Sequence, residues 1–395
     1  MKKDIIICKK CVMANTRPVS TPEFLKKKFY HESTRFDNDG ICFACKYAEY
    51  KRRVDWNKRE KILKSILNKY RKNDGSYDVI VPGSGGKDSF AVAHKLKYKY
   101  SMNPLTVTWS PIVYTDIGKI NHEEWIKSGL DNIVVNPNPK IKRILTSLSF
   151  KNLCNPFQPF VIGQKNIGPK FAKMYDVKLV MYGESPLEVH PSNLDSFDNF
   201  EMPAEHYAFN GRKKDIKLAG LNLNELKKEK VNIQDLFLYM PMNLKDVKRN
   251  KIKTLFFSNF ENWSPQQNYF YSKKYSNFNS NPFGRSEGTY TKFSSLDDKI
   301  DGQYYFTMLI KFGQGRTMND ACRDIRDGYI TRDEAIQLIK KYDEEFPKKN
   351  FKFFLDYVGL TEKTYWKIID SFRPKNIWYK NNKKKWINKV KEELI

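Results

Sequence analysis

The sequence predicts an α/β protein built on a doubly wound parallel sheet, with a small cysteine-bearing module ahead of the sheet and a mostly helical region behind it. Three observations carry that expectation. Short runs rich in β-branched residues alternate with helical runs between residues 77 and 190, the order that gives a parallel sheet covered by helices. A glycine turn, Pro82-Gly-Ser-Gly-Gly86, joins the first of those runs to its helix. Four of the six cysteines precede the sheet as two C-x₂-C pairs, and a capping box at Thr331-Arg-Asp-Glu334 opens a helix well after it.

At 395 residues the chain has the length for two or three domains and a large core. Aromatic residues make up 14% of it, too many for a disordered chain even with 29% charged residues. The formal net charge is +26, yet only 15 of the 71 basic residues are Arg, and Lys is scattered along the whole length. Scattered Lys fits a nucleic-acid face or a plain compositional bias. Clustering of the few Arg favours a small acidic substrate over nucleic acid. The Ile5-Ile6-Ile7 run is too short for the apolar core of a signal peptide, and no run approaches the length of a membrane span. The expectation is a cytoplasmic protein with no membrane partner, whose thiols stay reduced.

Taken in order, Cys8-Lys-Lys-Cys11 and Cys42-Phe-Ala-Cys45 each place two thiolates on one side of a tight turn, and two such turns complete a tetrahedral Zn²⁺ shell. With no open coordination position the site reads as structural, in a zinc-ribbon or treble-clef module over residues 1–48; a disulfide framework is the alternative. Residues 49–76 are dense in Lys, Arg and Glu, with Val54, Trp56, Leu63 and Leu67 among apolar residues at helical spacing. They read as a connecting helix with a solvated charged face.

Residues 77–190 carry the sheet. Val79-Ile-Val81 is a buried strand stopped by Pro82 and Gly83, and Asp88 and Ser89 open an amphipathic helix. Strand, glycine turn and helix N-terminus in that order make an anion site, because free backbone N–H groups and the helix dipole both favour negative charge. Gly85 and Gly86 let phosphate oxygens approach the main chain, Ser84 and Ser89 add hydroxyls, Lys87 a charge and Asp88 a ligand for Mg²⁺. Pro104–Trp109, Asn132–Val135 and Lys178–Tyr182 are further strands, with helices near Glu123–Lys127 and Ile141–Phe150. Adenine is expected beside Trp109 and Ser110, at a strand's C-terminal end, and Gly183-Glu184 closes the last strand. Cys154, in the loop 153–160, reads as a packing residue, since sulfur transfer needs a second cysteine beside it.

Residues 191–300 read as irregular and aromatic-rich. Either this is a long insertion packed by its aromatics, or a substrate lid whose Arg285 and Lys292 meet anionic groups. Residues 301–395 read as helical. Lys311-Phe-Gly-Gln-Gly-Arg316 has glycines for close backbone approach, and Arg323 and Arg326 follow at i, i+3. Such a cluster in an Arg-poor chain points to an anion site; surface ion pairs are the other reading.

The run S-G-G-K-D-S is not a Walker A loop. It resembles the PP-loop of the ATP pyrophosphatase superfamily, which includes asparagine and NAD synthetases, tRNA thiolases and lysidine synthetase. That resemblance implies ATP cleaved between its α and β phosphates, with the loop holding pyrophosphate. Beyond the loop, the chain resembles the N-acetyl sugar amidotransferases of bacterial surface-glycan synthesis (PseA/WbpG type). The matching stretches are the Cys8–Cys45 ribbon, the PP-loop, Tyr114-Thr-Asp-Ile-Gly118, Pro156-Phe-Gln158-Pro-Phe160 with Gly163-Gln164, and Gly183-Glu184. Further on come Gly288-Thr-Tyr290, Asp297-Asp-Lys299, Lys311–Arg316, Arg326–Glu334, and Phe372-Arg-Pro374 with Trp378. Asn155 departs from the pattern, where His is more usual. The resemblance implies conversion of a sugar acetamido group to an acetamidino group on an acidic or nucleotide-activated N-acetyl sugar, with ATP, Mg²⁺ and structural Zn²⁺. It also implies ammonia from a separate glutaminase with a cyclase-like subunit. In keeping with that, Lys2 stands where an N-terminal nucleophile would need Cys, and neither Cys154 nor Cys322 lies on a glycine-flanked elbow. The expected catalytic residues are Lys87, Asp88 and Ser89, with Gln158, Gln164, Arg285, Lys292, Arg316, Arg323 and Arg326 on the sugar. The rival expectation is a PP-loop enzyme that modifies tRNA.

Overall fold

The computed structural model describes residues 4–18, 22–25, 33–189, 191, 197–212 and 215–395. The parts of the N-terminal module and of the 191–300 stretch between these ranges lie outside the described residues. After the second cysteine pair come α1 (Phe43–Lys51) and α2 (Trp56–Tyr70), so the connecting segment is two helices broken at Arg52–Asp55, where Asp55 caps α2 by accepting the Lys58 N–H. Leu63 and Leu67 of α2 are buried against the sheet.

The sheet follows: β1 (Val79–Pro82), α3 (Lys87–His94), β2 (Pro104–Trp109), α4 (Asp116–Lys127), β3 (Asp131–Val135), α5 (Pro139–Leu153), α6 (Gln158–Met174) and β4 (Leu179–Tyr182). Alternate residues of each strand leave by opposite faces. Val79 and Val81 of β1, with Leu179 and Met181 of β4, enter a core with Phe90, Leu96 and Trp125. Ile80 and Val180 enter a second core with Leu145, Ile162 and Ile167. Both faces are therefore dry, which explains why β1 and β2 are buried throughout.

Helix α6 begins inside the expected loop 153–160, and it forms although it contains Pro159, Gly163, Gly168 and Pro169, residue types that ordinarily interrupt a helix. Each is tolerated for a local reason; at Pro169 the Lys165 carbonyl, which a residue with an N–H would bond, accepts instead from the Tyr182 hydroxyl at 2.9 Å. Pro159 lies in the first turn, where its missing N–H has no partner to lose. A Cβ at Gly163 would fall 2.1 Å from the Trp109 indole, and one at Gly168 2.6 Å from Pro82, so α6 lies on the sheet closer than any larger residue permits. Cys154 caps α5 in a left-handed conformation (φ 44°), its thiol buried and pushed up to about 12 by that burial, as fits a packing residue.

Between residues 197 and 300 the chain is more regular than its composition indicates. It adds the short pair β5 (Ala208–Phe209) and β6 (Met242–Asn243), helices α7 (Leu223–Lys228) and α8 (Leu244–Arg249), then β7 (Lys253–Phe256) and α9 (Pro265–Tyr275). Strand β7 pairs with β4, completing a five-stranded parallel sheet in the order β3-β2-β1-β4-β7. The order reverses between β1 and β4, so a crevice opens at their C-terminal ends.

The C-terminal region is helical as expected: α10 (Asp301–Phe312), α11 (Arg316–Asp327), α12 (Arg332–Tyr342), α13 (Phe351–Val358) and α14 (Glu362–Ser371). A hairpin of β8 (Trp378–Lys380) and β9 (Trp386–Asn388) and a last helix α15 (Lys389–Leu394) follow. The Thr331–Glu334 capping box forms at the head of α12. The cysteine module docks on this region. Gln314 bonds both the N–H and the carbonyl of Ala14, and the Thr16 hydroxyl donates to Phe312 O at 2.6 Å. The four paired cysteines belong to the same apolar cluster as Ile310, Met318 and Ala335.

One contact brings that region over the sheet. Gly118, in the first turn of α4, lies so close to Asp297 that a Cβ there would stand 2.6 Å from the Asp297 Cα. Gly118→Ala is expected to destabilise the protein by about 1–3 kcal/mol through overpacking. A urea denaturation midpoint equal to the wild type's would show instead that the 294–298 segment can retreat.

Candidate active site and metal centre

The turn after β1 is shaped by its glycines. Gly85 has φ 81°, and a Cβ there would lie 2.6 Å from the His122 Cα of α4, so no other residue fits without displacing that helix. Gly86 is the N-cap of α3 and supplies no side-chain cap, so the first amides of α3 have no capping side chain from it. Turn and helix border a cavity of about 580 Å³ at the switch between β1 and β4, floored by Tyr182, Gly183 and Glu184 and walled by Ser295, Leu296, Asp297, Asp301 and α11.

Lys87 and Asp88 are held from outside the loop. Lys87 Nζ lies 2.5 Å from Asp88 Oδ2, Asn268 of α9 donates to Asp88 Oδ1 at 2.8 Å, and the Ser272 hydroxyl donates to Lys87 O at 3.1 Å. The Ser89 hydroxyl donates back to Gly86 O at 3.1 Å. Ser84 hydrogen-bonds the carboxyl of Asp297, a buried acid that burial pushes above its ordinary range while Ser84, Lys87 and Arg316 pull it down. Asp301 also borders the cavity. Burial raises its carboxyl to about 6 against the pull of Arg316 and a bond from Ser295. From α11, Arg316 bonds Asp320 at 3.0 Å and stacks 4.1 Å over the Tyr305 ring, and Arg323 donates to Glu184 Oε2 at 2.7 Å. Ser84, Gly86, Lys87, Asp88, Ser89, Gln164, Gly183, Glu184, Arg316 and Arg323 thus border one space, with Gly85 shaping the turn behind them.

Six expected residues are elsewhere. Arg285 is held by both oxygens of Glu345, at 2.6 and 2.9 Å, and stacks 4.4 Å over Tyr342, outside the cavity. Lys292 is exposed and lies 5.6 Å over the Tyr269 ring. Gln158 is buried with its amide spent on Glu23 O, Lys217 O and the Ala219 N–H. Trp109 is buried edge-on to Tyr239, and Ser110 bonds Asn136 and Lys142; neither borders the cavity. Arg326 turns away toward the cysteines and donates to Glu188 O at 3.0 Å. Conversely, Asn268, Asp297 and Asp301 were missed as site residues. In the sequence Asp297 stands out only as part of the Asp297-Asp-Lys299 motif. An acid four residues before another at a helix start was the available signal for Asp301, whereas Asn268 has none.

The Sγ atoms of Cys8, Cys11, Cys42 and Cys45 lie within 4.8 Å of one another, all four residues buried. Two of the separations are 3.9 Å (Cys8–Cys45) and 3.7 Å (Cys11–Cys42). A tetrahedron with metal–sulfur bonds of about 2.3 Å has edges of about 3.8 Å, so the cluster could hold a metal such as zinc. Backbone N–H groups of Met13 and Cys42 point at Cys11 and Cys8 sulfurs, at 3.4 and 3.3 Å, as thiolate ligands require.

Fold and site define an α/β protein with a parallel central sheet, a glycine turn at its switch point, a four-cysteine centre and a mostly helical C-terminal region. Residues 287–391 match the family described as LPS biosynthesis protein WbpG-like, C-terminal domain. That match bears out the resemblance to the WbpG/PseA-type amidotransferases; the segment from Gly288 to Trp378 lies inside it, and the PP-loop and cysteine pairs lie outside. No curated protein matches the chain.

Two outcomes are expected. Metal analysis should return one zinc per chain, and Cys42→Ser should lower folding yield more than ligand affinity; protein free of zinc, or an iron–sulfur absorption band, would remove the metal assignment. The second concerns Asp301, which holds its proton to about pH 6 when folded. Its stabilising contribution is full below the unfolded value near 3.8 and lost as pH rises through 6. Asp301→Asn, which cannot ionise, should therefore gain on the wild type above pH 6 by about 1–2 kcal/mol, allowing for the solvent that reaches the cavity. Thermal melts of both proteins at pH 4.5 and 7.5 check it, and a gap that does not widen with pH sinks it.

Proposed function

We propose that this protein is an ATP-dependent, AMP-forming amidotransferase of lipopolysaccharide or related surface-glycan biosynthesis, which converts a sugar acetamido group into an acetamidino group. The observation that carries the reading is the S-G-G-K-D-S turn at the sheet's switch point, opening into the same cavity as Arg316 and Arg323 of the WbpG-like segment. A cavity of about 580 Å³ is in the range of small-molecule sites. In this reading residues 77–190 with β7 form the PP-loop domain, residues 1–48 a structural zinc module and residues 301–395 the wall that selects the sugar.

An amide is a poor electrophile because its nitrogen donates into the carbonyl and its oxygen leaves badly. The carbonyl oxygen attacks the α phosphorus, the α–β bond breaks, and its electrons leave on pyrophosphate. The amides of Gly85, Gly86 and α3, with Lys87, stabilise the charge that develops there. The lone pair of ammonia then forms the new C–N bond, the oxygen departs on AMP, and the extra proton of the attacking nitrogen passes to released phosphate or solvent. The amidine keeps its proton as an amidinium, which Glu184, Asp297 or Asp301 can face. Mg²⁺, when bound, neutralises phosphate charge. The chain fits it: no carboxylate cage is preassembled among the described residues, whereas Asp88 and Asp297 flank the turn, as suits an ion held largely by substrate phosphates. Arg316 and Arg323 offer guanidinium forks for an acidic or nucleotide-linked sugar. Ammonia comes from a separate glutaminase.

The test is a panel of N-acetyl hexosamines and uronic acids, free and nucleotide-linked, incubated with ATP, Mg²⁺ and ammonium chloride. AMP and pyrophosphate should appear, together with a sugar whose mass falls by the difference between O and NH. Asp88→Asn should cost about 10²-fold or more in turnover with the fold intact. ADP and phosphate as products would overturn the reading, and adenylation of added tRNA would hand it to the tRNA-modifying alternative.

A further inference from the structure

A second hollow, of about 280 Å³, lies beside the cavity. Among the described residues, Glu184 and Arg323 border both spaces and no other residue does. These two form an ion pair at 2.7 Å, so the pair stands where the two spaces meet. Arg52, Gln267 and Tyr329 on the hollow's rim are exposed, while Lys51, Trp263 and Arg326 at its floor are buried. Ala44 and Ala48 of α1 line one side, next to the cysteine cluster.

The chemistry of the proposed reaction gives this space a use. ATP and a sugar together occupy the larger cavity, so the third reagent needs its own approach. Ammonia reacts only when neutral, because ammonium has no lone pair. The hollow presents four cations, Lys51, Arg52, Arg323 and Arg326, against three carboxylates, Glu184, Glu188 and Asp327. Burial raises Glu188 to about 7 despite its bond to Lys51, which further reduces the negative charge near neutral pH; burial also raises Asp327 above the ordinary carboxyl range. A net positive lining repels ammonium and lowers its pKa, whereas neutral ammonia passes. The volume excludes a nucleotide sugar and admits ammonia easily.

We infer that this second hollow is the ammonia entrance to the reaction cavity, with the Glu184–Arg323 ion pair as its inner gate. The inference rests on the amidotransferase reading above. It also gives the zinc module a part in the reaction, since α1 forms one wall of the path.

The test narrows the path away from the catalytic groups, with Ala48→Phe on the α1 wall and Gln267→Trp on the rim. Initial rates of AMP release are followed against ammonium chloride, using a sugar the panel identifies, with zinc content measured for each variant. Both variants should raise KM for ammonium chloride by about tenfold or more, leaving KM for ATP and kcat at saturating ammonia unchanged. Unaltered ammonia kinetics in zinc-replete variants overturn the inference while the amidotransferase reading stands. So does a rise confined to the sugar's KM, which would make the hollow a sugar subsite. If the wild type shows no ammonia-dependent turnover with any sugar, the underlying reading falls and the entrance with it.

Discussion

The site depends on the close approach of residues 294–299 to the start of α4. Gly118 makes the approach sterically possible, and backbone bonds then fasten it: Thr115 N–H to Asp297 O at 3.1 Å and Lys299 N–H to Val113 O at 2.9 Å. The Asp298 carboxylate adds bonds from the N–H groups of Ile112, Val113 and Ile300. Each such bond is worth about 0.5–1.5 kcal/mol net, so together they hold the segment firmly. Ser295, left-handed at φ 58°, turns the chain so that Asp297 faces the glycine loop while Asp298 faces away from it. The seam, together with the Arg323–Glu184 ion pair, sets the arginines of α11 opposite the loop they face.

A second constraint operates from α9. Its Asn268 and Ser272 reach Asp88 and Lys87, so the loop's two charged residues are oriented by a helix more than 170 positions later in the chain. The anion turn is thus assembled from three separated stretches: its own glycines, α9 and the 294–299 seam. Rigid support of this kind is what a phosphate site needs, because donors that must reorganise during reaction give little stabilisation.

What was legible in the sequence was local. The strands of residues 79–182 show as β-branched runs, the loop as glycines between strand and helix, the cysteine centre as spacing, and α12 as a capping box. What was hidden depends on partners distant in sequence. Helix α6 looks broken until the Trp109 indole and Pro82 occupy the space its glycines leave. Arg285 and Arg316 look alike in sequence; Glu345 takes both ends of the first, whereas the second stays at the cavity edge on Tyr305. Trp109 sits at the expected strand end but points into a core, because a side chain's face is decided by register. Strand β7 lay unseen in the aromatic-rich stretch, since a four-residue edge strand leaves almost no periodic signal.

The docking of Ala14 and Thr16 onto Gln314 and Phe312 joins segments roughly 300 positions apart. During synthesis the two cysteine pairs emerge early and can find each other, since 8 to 45 is a short loop to close. The surface on which their module rests is made only when α10 and α11 leave the ribosome. Until then the cysteine cluster, which is buried in the finished molecule, lacks that cover. Early capture of a metal would protect the nascent chain through that interval, and the last quarter of the polypeptide then seals it in.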